Sequence, residues 1–216
     1  MTAFYTPKEL AQLALDRGLI EADCNPVTRL EKGNQIMTSL NTPYATLSFA
    51  NVFTPRPRAE GGNPVYSCSL IFDPAQQKSP AYKALQDACI AAAKKEFGDN
   101  VNLKQVNMPF RDAGEKSYDG YHAGHMFISP WSKNKPGIVD TNRQDILVPE
   151  EVWSGQLVRA NVVPFAWTHT GRKGVSFGLN HLQVIQSEGR QRLDGRPAAS
   201  SAFDDGEVKE TEGAPF

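Results

Sequence analysis

Three groups of residues in this 216-residue chain have types and spacings that could do chemistry. The first interleaves cations with rings: Arg111, Lys116, Tyr118, Tyr121, Phe127, Trp131, Lys133, Asn134 and Lys135. Lysine and arginine attract phosphates and flat rings stack on bases, so the mixture suits a single nucleic-acid strand whose bases are exposed, and not a duplex that hides them. Arg159, Asn161, Phe165 and Trp167 extend the group, because on a strand they share the face opposite Val158, Ala160 and Val162. Arg56 and Arg58, in TPRPRAEGG, sit between two expected strands, in what would be a long loop. The plainer alternative is that these rings are core and the cations are ordinary solvated charges.

Asp119, His122 and His125 make the second group and bring together three possible metal ligands. The spacing H-x-x-H lacks the i, i+4 face of a zinc helix, Gly120 and Gly124 argue against a helix there, and no general base accompanies it. A polar loop is the better expectation, and a metal-dependent nuclease is the enzymatic alternative. No Walker glycine loop is present, and Cys24, Cys68 and Cys89 occupy no recognisable nucleophile context. Neither catalysis, nor a metal, nor a cofactor is expected.

The third group is the acidic stretch Asp204, Asp205, Glu207, Glu210 and Glu212, opposed by Lys209 alone and followed by Phe216. It carries −4 of a net charge of −1, which leaves a mildly basic body at +3. An acidic segment with a bulky apolar anchor reads as a recruitment peptide for a partner protein.

The elements that position these groups follow from periodicity. Thr6-Pro7-Lys8-Glu9 starts a short helix ending before Gly18, and turn residues fill the chain as far as Thr42. Ala45, Leu47, Phe49 and Phe53 share one parity of an expected strand; Tyr66, Cys68, Leu70 and Phe72 share one parity of a second, and the two make a hairpin with a long loop. Ser79-Pro80 opens a helix with Tyr82, Leu85, Cys89 and Ala92 or Ala93 on one face, ending near Gly98. Further strands are expected over His125 to Trp131, Leu157 to Trp167 and Gly174 to Leu179. About five strands and an intervening helix match a mainly β OB-fold, a five-stranded Greek-key barrel, with an SH3-like barrel or small sandwich as alternatives.

The expected organisation is an N-terminal extension over 1–42, a barrel over 43–187 and a disordered acidic tail over 188–216. A hydrophobic share of 40% and a charged share of 22% exclude a wholly disordered or collagen-like chain. The cysteines are odd in number and far apart, which suggests a reducing compartment, and the start MTAFYTPKEL lacks the pattern of a signal peptide. No membrane association is expected.

The stretches ATLSFANVF, GGNPVYSCSLIF, FRDAGEKSYDGYHAGHMFISPWSKNKPGIVD, WSGQLVRANVVPFAW and KGVSFGLNHLQ, taken in order, resemble a family of phage-encoded OB-fold single-stranded DNA-binding proteins, long filed as a domain of unknown function. The resemblance spans about Asn41 to Asp205. It implies sequence-tolerant binding of single-stranded DNA in phage replication or recombination, in the cytoplasm of the infected bacterium. It also implies an acidic tail that engages a polymerase, a helicase or another replication protein. Duplex binding is left open, and a protein-interaction module that binds no DNA is the second alternative.

Overall fold

The computed structural model of the protein describes residues 39–58, 60–186 and 188–195. The helix expected from Thr6 and the residues Asp204, Asp205, Glu207, Glu210, Glu212 and Phe216 lie outside the described residues. The first described strand, β1 (Leu40–Asn41), is short. It is followed by β2 (Ala45–Pro57) and β3 (Pro64–Phe72), an antiparallel pair as the alternation of apolar residues predicts. Helices α1 (Pro74–Gln77) and α2 (Pro80–Phe97) come next. Five short strands then lead on: β4 (Val106–Asn107), β5 (Arg111–Asp112), β6 (Met126–Ile128), β7 (Trp131–Ser132) and β8 (Gly137–Val139). The chain closes with a long hairpin, β9 (Leu157–His169) and β10 (Arg172–Gln186).

The ladders run in a ring from β2 to β3, β7, β10, β9 and back to β2, with β7 parallel to β10 and the other pairs antiparallel. Three consecutive strands with the fourth returning beside the first is Greek-key order, and the ring is the five-stranded barrel expected. Three of its joints are short, Gly178 with Trp131, Tyr66–Ser67 with Ser132–Trp131 and Ala45–Thr46 with Val158–Leu157, so the barrel is only lightly closed there.

Alternation sorts the long strands. Val158, Ala160, Val162 and Pro164 of β9 point inward and are buried, while Arg159, Asn161, Val163, Phe165 and Trp167 face outward. On β10, Val175, Phe177 and Leu179 point inward; a register shift between Leu179 and His181 then transfers the inward places to Leu182 and Val184.

Helix α2 forms as its sequence dictates. The Ser79 hydroxyl accepts from the Tyr82 N–H, Pro80 takes the first turn, where its missing N–H is no loss, and Gly98 ends the helix at φ +91°. Tyr82, Leu85, Cys89 and Ala93 are the buried face, packed toward β9 and β10. A chain of rings continues inward: Phe72 to Tyr82 at 5.2 Å, Tyr82 to Phe110 at 5.3 Å and Phe110 to Phe177 at 5.9 Å. Burial pushes the thiols of Cys68 and Cys89 and the phenol of Tyr82 up to about 12, so both thiols stay protonated and unreactive.

Three expectations need correction. The single strand expected over His125 to Trp131 is two strands, β6 and β7, because Pro130 cannot donate to a ladder. Phe49 does not join Ala45 and Leu47 inside: between Ser48 and Asn51 the partner strand advances only from Ser69 to Ser67, and the extra residue is a bulge that turns Phe49 outward. After it Val52 takes the inward place and Phe53 the outer one. The described part of the expected tail, 188–195, is packed on the body: Arg190 donates to the Gly155 carbonyl at 2.9 Å and to the Thr46 hydroxyl at 2.8 Å, and the Leu193 N–H donates to the Ser154 carbonyl at 2.8 Å.

Candidate nucleic-acid interface

The outer row of β10 is almost free of side chains. Gly174, Ser176 and Gly178 pair with Trp167, Phe165 and Val163 of β9, and Gly178 also pairs with Trp131 of β7. Three half-buried rings therefore stand around a floor of glycine and serine. Trp167 lies across Gly174 so closely that any Cβ there would collide with the indole. Trp131 meets Phe165 edge to face at 5.7 Å. The result is a shallow track whose walls are aromatic and whose floor lets another flat group approach the backbone.

Cations border this track. The Arg58 guanidinium lies 5.6 Å from the centre of the Trp131 ring, and Lys135 Nζ 4.9 Å from that of Phe53. Partial burial, with the charge of Arg111 beside it, pushes Arg58 below the ordinary arginine range. Among the described residues neither Arg58 nor Arg111 has a carboxylate partner. Two guanidinium groups that repel one another favour the arrival of a phosphate.

The remaining candidates fall into distinct places. Arg56, Lys116 and Lys133 are exposed. Tyr121 and Phe127 are buried at 7% and 5% exposure with Ile71 and Ala113, and so offer no free face for stacking; Tyr118 sits above them, 55% exposed. Arg159 is not gathered into the track: it lies six residues from Phe165, ~20 Å along the strand, and donates to Gln183 Oε1 at 2.8 Å. His122 and His125 meet ring to ring at 5.3 Å, but among the described residues no three His, Cys, Asp or Glu side chains gather as a metal site would need.

Phe49, Phe53 and the floor of β10 were missed from the sequence. The floor had a signal, since Gly174, Ser176 and Gly178 alternate with Val175, Phe177 and Leu179, small against large. The same run, GVSFG, has the spelling of a hydrolase nucleophile elbow. That motif requires a sharp strand-to-helix turn, and here Ser176 lies in the middle of β10 between two ladders. The ring of Phe49 had no such signal, because nothing in its neighbours announces a bulge.

Residues 38–213 match the family described as the ssDNA-binding protein of Enterobacter phage Enc34. Among solved structures, the single-stranded DNA-binding protein of bacteriophage Enc34 in complex with ssDNA is similar with a TM-score of 0.60 at 16% identity, covering 76% of this chain and 97% of that one. A second structure of the same phage protein gives 0.58 at 18% identity, covering 82% and 98%. The protein p50 of Acyrthosiphon pisum secondary endosymbiont phage 1 is 33% identical over 103 residues, 47% of this chain, and the match spans about half, 54%, of that relative's length. The solved structures share the fold.

Proposed function

As the chain belongs to the Enc34 family of phage single-stranded DNA-binding proteins, a family of binding proteins and not of enzymes, we propose that it holds single-stranded DNA along the track on the outer face of β7, β9 and β10. Trp131, Phe165 and Trp167 stack on bases, and Arg58, Arg111, Lys133 and Lys135 meet phosphates. Arg56 and Lys116, both exposed, add positive charge to the body, and the buried Tyr121 and Phe127 do not stack on bases. The observation that carries this reading is the row of rings over Gly174, Ser176 and Gly178 beside two arginines that have no carboxylate partner among the described residues. Stacking needs only a π-face, so base identity should matter little. A fluorescence titration with oligothymidine tests it: the affinity should fall with salt, with a slope of about −0.7 for each phosphate contact. No binding at low salt, or binding indifferent to salt, would overturn the reading. The same titration with a duplex shows whether double-stranded DNA also binds.

In this reading the protein serves phage DNA replication or recombination in the host cytoplasm. Among the described residues no helix is long and apolar enough to cross a membrane. The body from about residue 43 carries the DNA, and Asp204, Asp205, Glu207, Glu210, Glu212 and Phe216 recruit a replication protein such as a polymerase or helicase. The support for this last step is the charge of that stretch. Removing Phe216 should abolish retention of the phage polymerase or helicase on the immobilised protein while DNA affinity stays unchanged, and equal retention without Phe216 would contradict it.

A further inference from the structure

Phe49 and Tyr118 take no part in the track, yet they are among the most exposed large rings of the described residues, at 47% and 55%. Phe49 holds its backbone at φ +48°, a region that bulky side chains avoid. Strain of this kind persists only where the surroundings over-determine it, and it concentrates at binding sites. Its effect here is to turn the ring out of the barrel. The two rings meet edge to face at 5.1 Å, and both stand on Tyr121, at 6.3 Å from Phe49 and 5.6 Å from Tyr118. Tyr121 in turn packs on Phe127 at 5.2 Å, so a buried pedestal carries two exposed rings.

This platform is continuous with the track. Phe127 pairs with Arg111 on one side and with Ile71 of β3 on the other, and Arg111 is the charge that acts on Arg58 above Trp131. On β3, Ile71 faces Phe127 and Ser67 faces Trp131, four residues or ~13 Å apart. Between them on the same face stands only Ser69, a small residue paired with Ser48 at the edge of the bulge.

We propose that Phe49 and Tyr118 form a second stacking subsite for the same DNA strand. A strand seated over Trp131 crosses the Arg58–Arg111 pair and lays a further base on the Phe49–Tyr118 platform. The inference rests on the reading of the track as the principal site, and it makes binding depend on length. A short strand fills the track alone; a longer one also reaches the platform.

The test measures affinity of the full chain for oligothymidines of about six and about sixteen nucleotides, the range over which one barrel of this class binds. Phe49→Leu keeps an apolar side chain but removes the ring, and should weaken the long strand about tenfold while leaving the short one unchanged. Phe49→Gly separates function from folding, because glycine is at ease at positive φ: the melting temperature should hold or rise while affinity for the long strand falls. The subsite is overturned if both variants bind the long strand as the wild type does, or if both lengths weaken together with a lowered melting temperature. Trp131→Ala is the reference and should weaken both lengths. If the wild type binds neither length the track itself is wrong, whereas normal wild-type binding with unaffected Phe49 variants removes the platform alone.

Discussion

Aromatic rings stand on both sides of β10, in opposite surroundings. Its inward residue Phe177 meets Phe110, and through it Tyr82 of α2 and Phe72, so each ring is closed over by another apolar group. Its outward neighbours Ser176 and Gly178 leave Phe165 and Trp131 without a second layer, with an arginine in place of a helix above them. An aromatic residue is therefore core or platform according to what lies opposite it. On the inside that is a capped amphipathic helix; on the outside it is glycine and cations.

Mutations should separate the faces. Phe177→Ala opens a cavity in a closed core and should cost about 3–5 kcal/mol of stability, read as a large fall in the midpoint of denaturant unfolding. DNA affinity of the remaining folded protein should be nearly normal, and a selective loss of affinity at full stability would dissolve the contrast. Trp131→Ala should do the reverse, weakening single-strand binding by about 1–3 kcal/mol with little change in the unfolding midpoint. A Trp131 variant that unfolds readily would place that ring with the core. Smallest in effect is Arg58→Gln, which removes one phosphate contact and should flatten the salt dependence by about 0.7. Because Arg58 is repelled by Arg111, its loss should not lower stability, and a clear destabilisation would mean that its contact with Trp131 is structural.

Much of the inner face was legible in the sequence. Parity alone assigned Val158, Ala160 and Val162 inward, and the cap at Ser79 with the stripe Tyr82, Leu85, Cys89 placed α2 to within a residue. Burial is periodic, and periodicity is written locally. The outer face was legible only in part, because its residues are joined by contacts distant in the chain. Arg58 meets Trp131 across the hairpin, and Arg159, which shares parity with Phe165, is removed from the track by length along β9. Phe49 escaped because one inserted residue inverts parity, and Arg190 and Leu193 escaped because polar composition concealed their docking.

Location of the strand tests the central claim most directly. Oligothymidine carrying photoreactive thymine analogues, irradiated with the full chain and mapped by peptide mass spectrometry, reports which side chains touch bases. Crosslinks are expected at Trp131, Phe165 and Trp167, with Phe49 and Tyr118 added only for long strands. Crosslinks confined to the far end of β9, around Asn41, Asn161 and His181, or none on the β7–β9–β10 face, would contradict it.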